Sequence, residues 1–287
     1  MSPTVAMATC SAHPDLYADD RPLVDALEVL GVRSVPVIWG AAPPARVDAW
    51  LIRSVWDYHL RAEEFLAWVA RASARTPMWN DPALIRWNSH KTYLRDLEGR
   101  GVSVVPTIWA DAARTPGLAA ELEARGWGDV VVKPAVSASA HRTARFAAKD
   151  RAAAQAHCDE LARRGVAMVQ PYLTSVESYG ERSFFFMDGV HTHAVQRQAV
   201  LSEGFEMDKP APVVKATEAE LALCLATLGA LDLPPLYARV DMAPDANGTP
   251  RLMELELIEP RLYFREAPEA AELLAKAIAR RLLNDRR

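Results

Sequence analysis

Residues 236–260 read Leu-Tyr-Ala-Arg-Val-Asp-Met-Ala-Pro-Asp-Ala-Asn-Gly-Thr-Pro-Arg-Leu-Met-Glu-Leu-Glu-Leu-Ile-Glu-Pro. Two runs alternate apolar and polar residues around Asn247-Gly248, and this stretch constrains the fold more than any other. Asn-Gly readily takes positive φ at both turn positions, so the pattern is a hairpin signal. In the first run Leu236, Ala238, Val240 and Met242 face one way, and Tyr237, Arg239 and Asp241 the other. In the second, Met253, Leu255 and Leu257 oppose Glu254 and Glu256. A two-residue turn at Asn247-Gly248 sets Ala246 opposite Thr249. Counting outward then sets Asp241 opposite Glu254 and Arg239 opposite Glu256. Directly paired residues have Cβ atoms roughly 4.5–5.5 Å apart. An Asp and a Glu so placed repel unless a cation or proton lies between them. Mg²⁺ is held by one or two carboxylates and completes its shell with phosphates and water. The hairpin therefore reads as a Mg²⁺–phosphate site with an adjacent arginine. The plain alternative is a solvated acidic hairpin, and Pro250 is a residue that can lengthen the turn and shift the register.

The rest of the chain narrows the classes. At 287 residues it can build a large core divided into two or three lobes. Half of its residues are hydrophobic and the net charge is −4, with no long basic block for nucleic acid. No apolar run reaches the roughly 18 residues of a membrane span, and the N-terminus has no secretory leader pattern. Cys10, Cys158 and Cys224 are scattered, with no Cys-x-x-Cys. That usage suits a reducing, cytoplasmic setting and isolated buried thiols.

Val5–Cys10, Val35–Trp39 and Ala49–Ile52 read as strands, with a helix from Asp19 to Leu30 between the first two. This alternation predicts an open parallel sheet in an α/β chain. Ligands of such sheets sit beyond the carboxyl ends of the strands. That position falls on Arg53-Ser-Val-Trp-Asp-Tyr-His59, making Arg53, Asp57 and Tyr58 candidate substrate contacts; a helix-entry turn packed by Trp56 is the alternative. Helices are expected over 62–74 and over 88–98, the second with Lys91 in its first turn, and a strand over 102–106. Asp129-Val-Val-Val-Lys-Pro134 is an apolar strand ending in Lys133. The loop Ala135-Val-Ser-Ala-Ser-Ala-His141 follows. Its small residues let backbone N–H groups approach a phosphate. Ser137 and Ser139 offer hydroxyls in place of glycine, and His141 is a nearby candidate. A helix over 150–164 and strands over 166–170, 180–189 and 190–200 come next. The last strand is read with His191, His193, Val195 and Arg197 on one face. No Cys or third histidine accompanies His191-x-His193, so these read as sheet histidines rather than a metal site. Thr217-Glu-Ala-Glu220 is a capping box opening a helix to Leu231. The arginine-rich loop with Arg261 and Arg265 and a C-terminal helix over 268–283 close the chain.

These parts, in this order, resemble a known superfamily. Lys91, Val-Val-Lys133-Pro, Val-Gln170-Pro-Tyr, an acid soon after, Arg239-Val-Asp241 and Glu254-Leu-Glu256 resemble the ATP-grasp ADP-forming carboxylate–amine ligases. Glu254-Leu-Glu-Leu-Ile-Glu-Pro260 is similar to a glutathione synthetase segment, and Tyr237-Ala-Arg-Val-Asp-Met242 to one of D-alanine–D-alanine ligase. Within the superfamily, Ala8-Thr-Cys10, Asp19-Asp20, Arg53-Ser-Val-Trp-Asp-Tyr58 and Asn80-Asp-Pro look like the D-cycloserine-forming group, which closes a ring from O-ureido-D-serine. The resemblance implies an ATP-grasp fold, α/β with α+β lobes. Residues 1–85 would form an N-terminal Rossmann-like domain, 86–168 a central small lobe and 169–287 a C-terminal lobe with the hairpin.

The resemblance also implies roles. Lys91 and Lys133 would contact ATP phosphates, with Ser137 and Ser139 beside them. Gln170, Pro171 and Tyr172 would line the adenine pocket and Glu177 would take the ribose. Asp241, Glu254 and Glu256 would hold Mg²⁺, or Mn²⁺ in its place, and Arg239 would stabilise the transferred phosphoryl group and the tetrahedral intermediate. Glu256 stands where an Asn is usual, and the loop after Lys133 lacks the usual glycines. The implied reaction activates a small amino-acid-like carboxylate as an acyl-phosphate for attack by nitrogen, within one molecule or between two. Segments 135–141 and 202–212 are the expected lids. Rival readings are an ATP-grasp phosphotransferase and a non-catalytic nucleotide-binding module. No nucleic acid or membrane partner is expected, and a homo-oligomer stays open.

Overall fold

Continuous apolar runs and alternating runs call for different sheets, and the chain builds both. A computed structural model describes residues 2–115, 117–138, 140–199, 201, 206 and 209–284. Strands β1 (Thr4–Thr9), β2 (Arg33–Ile38), β3 (Ala49–Ser54) and β4 (Met78–Trp79) pair in parallel in the order β2-β1-β3-β4. Every residue of β1 and β3 is buried. Helices α1 (Arg21–Val29) and α2 (Ala62–Ser73) supply the crossovers.

The helix expected over 88–98 is two helices, α3 (Pro82–Asn88) and α4 (Tyr93–Gly99). Asp81 caps α3 by accepting from the Ala83 amide at 2.7 Å, with Pro82 in the first turn. Lys91 therefore lies in the turn between the helices. The strand expected over 102–106 contributes only the bridge Val104–Leu252.

A second sheet is antiparallel, with order β5-β8-β6-β7, from β5 (Ile108–Ala110), β6 (Val130–Pro134), β7 (Ala144–Phe146) and β8 (Ala167–Pro171). Helices α5 (Leu118–Ala124) and α6 (Arg151–Ala162) share its core through Leu118, Leu122, Cys158 and Leu161. The division expected at 168/169 falls inside β8.

The third sheet, also antiparallel, follows the short α7 (Ser175–Ser178). Its order is β10-β9-β11-β12, from β9 (Glu181–Met187), β10 (Val190–Arg197), β11 (Tyr237–Pro244) and β12 (Pro250–Glu256). Helix α8 (Glu218–Gly229) opens with the expected capping box of Thr217 and Glu220. Helix α9 (Pro268–Asn284) returns to α1. Ala271, Leu274 and Ile278 share one core with Val5, Met7, Leu23, Leu27, Phe185 and Met187.

Two irregularities shape the third sheet. A shift at Thr192 separates the histidines, contrary to the single face expected of them. His191 packs on Phe184 and Phe186, whereas His193 stacks on Phe185 at 4.3 Å. The hairpin turn is also longer than two residues. Pro244 pairs with Pro250, leaving a five-residue loop in which Asp245 accepts from the Asn247 and Thr249 amides. A bulge at Met253 then takes up one residue. The two shifts cancel, and Asp241 lies opposite Glu254 and Arg239 opposite Glu256 as the arithmetic required. Met253 leaves the core face assigned to it and packs near Tyr172 and Leu173, while Leu252 takes the core position.

Candidate active site

The ends of these sheets enclose a cavity of about 800 Å³. One wall is the polar face of the hairpin, with Arg239, Asp241, Glu254 and Glu256. Asp241 is 2% exposed. One of its oxygens, Oδ1, accepts from the Ser183 hydroxyl at 2.6 Å and from Arg239 Nε at 2.9 Å. The other, Oδ2, accepts from Arg239 Nη2 at 2.8 Å and Arg197 Nη2 at 3.0 Å. Arg239 also pairs with Glu256 across the strands. Arg197 reaches Glu181 at 3.0 Å. Lys91 Nζ lies 2.9 Å from Glu254 Oε1 and donates to the Ser137 carbonyl at 2.8 Å.

The charges set one another. Burial disfavours an ionised Asp241, but Arg197 and Arg239 outweigh it and hold the carboxyl below its ordinary range. Lys91 and Lys133 do the same for Glu254 against its burial. Burial pushes Glu256 up to about 7, with Arg239 opposing and Glu254 and Asp241 reinforcing the rise. Burial lowers Lys133, which forms no ion pair among the described residues.

Among the described residues, no three His, Cys, Asp or Glu side chains converge on one metal position. Glu254, Asp241 and Glu256 are each drawn to a cation of the site instead. The donor set still suits Mg²⁺, which needs only one or two carboxylates when nucleotide phosphates complete its shell. Those phosphates would compete for Lys91 and Arg239.

The other sequence candidates separate into two groups. Gln170, Pro171, Tyr172 and Glu177 line the far end of the cavity with Met253 and Leu173. Gln170 donates to the Thr107 hydroxyl at 2.9 Å, and Glu177 pairs with Arg145 at 2.7 Å. Arg145 in turn stands 3.6 Å over the Tyr172 ring. Lys91, Lys133, Ser137, Tyr58 and Arg261 also line the cavity. Ser137 holds Lys91 through its backbone, and Ser139 lies outside the described residues, as does much of 202–212. The glycine-free loop turns by placing Ala140 and Arg142 at positive φ.

Arg53, Asp57, His141 and Arg265 do not line the cavity. Arg53 is buried, donating to Asp20 at 2.8 Å and to the Pro260 carbonyl at 2.9 Å, so it joins two parts of the fold. Asp57 accepts from Trp39 Nε1 at 2.6 Å. His141 stands beside His59 with ring centroids 5.2 Å apart. Arg265 is exposed. At the end of β3 and in the turn after it, Trp56 and Tyr58 line the cavity, while Arg53 and Asp57 turn toward other elements.

Sequence reasoning assigned no role to Arg197, Glu181, Ser183 or Glu259, all of them at the cavity or its supports. The alternation of β9 and β10 carried a signal for the first three. Ser183 pairs with Asp241, and Arg197 with Glu181.

Residues 5–80 match the family model described as D-cycloserine synthetase DcsG, N-terminal domain. The cycloserine biosynthesis protein DcsG of Streptomyces lavendulae is 33% identical over 97% of this chain and 98% of its own length. The chain belongs to the D-cycloserine synthetase family of ATP-grasp ligases. The crystal structure of D-cycloserine synthetase DcsG superposes with a TM-score of 0.88 at 32% identity, covering 97% of this chain and 99% of the other. D-alanine–D-alanine ligase from Bacillus anthracis shares the fold at a TM-score of 0.69 and 16% identity, over the whole of both chains. Membership of the D-cycloserine synthetase family bears out the ATP-grasp fold and the carbon–nitrogen ligase class expected from the motifs. No helix among the described residues is long and apolar enough to cross a membrane.

Proposed function

We propose that the chain uses Mg-ATP to activate the carboxylate of O-ureido-D-serine and closes the D-cycloserine ring. The observation that carries the reading is the facing pair Asp241–Glu254 with Arg239 beside it and two lysines at the same cavity, in a chain 33% identical to a cycloserine biosynthesis protein. Solved ATP-grasp relatives in complex with ATP, or with Mg and ADP, support the choice of nucleotide and metal.

Lys91 and Lys133 bind the phosphate oxygens and hold the donor in line with the carboxylate. A carboxylate oxygen attacks the γ-phosphorus, the bond to the bridging oxygen breaks, and ADP leaves. The substrate nitrogen bonded to oxygen then attacks the acyl carbon and loses its proton, and phosphate departs with the bonding pair. Arg239 faces the oxyanion of that tetrahedral intermediate, fixed in place by Asp241 and Glu256. Water then adds to the carbamoyl carbon, the bond from that carbon to the ring nitrogen breaks, the nitrogen takes a proton, and carbamic acid leaves and falls apart to ammonia and carbon dioxide. Mg²⁺, held by Glu254 and Asp241 with nucleotide phosphates, would neutralise charge on those phosphates. Tyr172, Pro171, Leu173 and Met253 form the nucleotide-base end, and the small-residue loop after Lys133 excludes water.

Phosphate and ADP release with Mg-ATP and O-ureido-D-serine, with mass spectrometry of the product, tests the reading. Asp241→Asn and Glu254→Gln are expected to stay folded and lose Mg-dependent ADP formation. Unchanged activity in both would remove the metal assignment. Turnover only with a carboxylate and a separate amine would make the enzyme an intermolecular ligase.

A further inference from the structure

Among the acidic residues that line the cavity, Glu259 is buried and has no ion-pair partner among the described residues, whereas Glu177 pairs with Arg145 and Glu206 is exposed. Asp241, Glu254, Glu256 and Glu181 are each paired with Lys91, Arg239 or Arg197. Glu259 lines the same cavity, is 9% exposed, and makes no ion pair among the described residues. Its carboxylate has only its own backbone amide. It lies on the segment that runs from β12 toward the parallel sheet, where its carbonyl accepts from Trp56 Nε1 at 3.0 Å. Tyr58, from the turn after β3, lines the cavity beside it, and its hydroxyl makes no hydrogen bond among the described residues. Burial first, and then the Glu259 carboxylate, push that phenol far up.

We infer that Glu259, assisted by the Tyr58 hydroxyl, is the subsite for the ammonium group of an α-amino-acid substrate. An ionised carboxylate sequestered from water is costly unless a cation or N–H donors meet it. Here the protein supplies only the residue's own backbone amide and no ion-pair partner among the described residues, and Glu259 lines the substrate cavity. The substrate carboxylate is repelled from this end and drawn to the cationic end at Lys133 and Arg239, so one molecule is oriented by both of its charges. Burial, reinforced by Glu256, raises Glu259 well above the carboxylate range; an ammonium group beside it favours the ionised form. The inference rests on the ligase reading above, since it places the far end of the molecule whose carboxylate is activated.

Binding in the presence of Mg and a non-hydrolysable ATP analogue decides it, by calorimetry on matched pairs. The pairs are O-ureido-D-serine and its des-amino analogue, and D-alanine, D-serine and D-homoserine with their des-amino acids. The parent protein is expected to bind at least one amino acid about tenfold or more tightly than its partner. Glu259→Gln, which keeps shape and removes charge, is expected to bring that ratio close to one and leave the ATP-analogue affinity unchanged. Tyr58→Phe is expected to reduce it by a smaller factor and serves if Glu259→Gln misfolds. A ratio unaltered in both variants overturns the subsite, as does the absence of any amine preference in the parent. If the parent turns over O-ureido-D-serine and the ratio still survives Glu259→Gln, only the subsite fails. If the parent ignores O-ureido-D-serine but loses a preference for another amino acid on substitution, the subsite holds and the ring-closing reading fails.

Discussion

Lys91 and Lys133 share a cavity but not a structural situation. Lys91 is clamped between Glu254 and the Ser137 carbonyl, so it holds the hairpin to the loop. Removing one partner of such a buried pair costs about 3–5 kcal/mol, because the other charge stays behind. Lys133 pays for burial with no protein partner among the described residues. Lys91→Met is therefore expected to lower the melting temperature and Lys133→Met to leave it no lower than the parent's, while both lose ATP turnover by roughly 100-fold or more. Differential scanning calorimetry beside an ADP-release assay separates the two. His193 gives a second residue-level outcome. Burial pushes its imidazole down to about 4, against the Leu262 carbonyl that its Nε2 contacts at 3.1 Å. The group is neutral in both states above about pH 7, so it adds no slope there. As the pH falls from about 6.5 toward 4, the unfolded chain takes up a proton that the folded one refuses, and stability drops. The loss between pH 7 and pH 5 is about 2 kcal/mol. Denaturant unfolding at the two pH values should show a loss larger by about this amount in the parent than in His193→Gln, because His59, His90 and His191, also lowered by burial, contribute equally to both. Of the candidates the sequence offered, Lys133 and Asp241 line the cavity from strand positions and Tyr58 from the turn after β3. Glu259 stands in the same segment as Glu254 and Glu256 but lacked a signal of its own, since only the fold shows that it has no ion-pair partner among the described residues.

Elements were legible wherever a period ran unbroken. The capping box and the parallel strands followed from spacing alone. The helix around Lys91 did not, because its apolar period continues through the Ser89–Thr92 turn while Asp81-Pro82 starts a helix earlier. The hairpin is the instructive case. Its register agreed with the arithmetic because a longer turn and the Met253 bulge offset each other. Without Met253 the strand would read Leu252, Glu254, Leu255, Glu256, Leu257, with every acid still on the cavity side. Deletion of Met253 is thus expected to preserve the fold and the Asp241–Glu254 pairing. It should weaken ATP binding, since Met253 packs with Tyr172 and Leu173 at one end of the cavity. Deletion of Leu255 should instead set Glu256 toward the core and unfold the hairpin. Nucleotide titration and circular dichroism of the two deletions distinguish these outcomes, and equal damage from both would show that the bulge itself fixes the register.

At the scale of the molecule, the parallel sheet and the hairpin sheet are joined through buried polar groups rather than a linker. Asn80, just after β4, donates to the carbonyls of Tyr237 and Leu257, each at 2.8 Å, and accepts from the Leu236 amide at 2.5 Å. The Tyr237 hydroxyl lies 2.8 Å from the carbonyl oxygens of both Ile52 and Ile258. Helix α9 completes the same core from the other end of the chain. Each contact fixes the floor of the cavity, because Tyr237 begins β11 and Leu257 follows β12. The N-terminal span 1–85 reads from sequence as a domain, yet Leu23 and Leu27 share their core with Leu274 and Ile278. A fragment ending at residue 85 is therefore expected to show no cooperative unfolding. In the intact chain, Asn80→Ala strands at least three buried backbone groups at about 1–3 kcal/mol each before any relaxation. Its denaturation should shift to lower denaturant by an amount worth several kcal/mol. The shift should be shared by two probes: Trp39, Trp50 and Trp68 in the core beside the parallel sheet, and nucleotide binding at the hairpin. Coincident transitions would mean that the active-site hairpin is only as stable as the parallel sheet beneath it; separated transitions, with the tryptophans unmoved, would mean that the two sheets fold apart and that Asn80 only docks them.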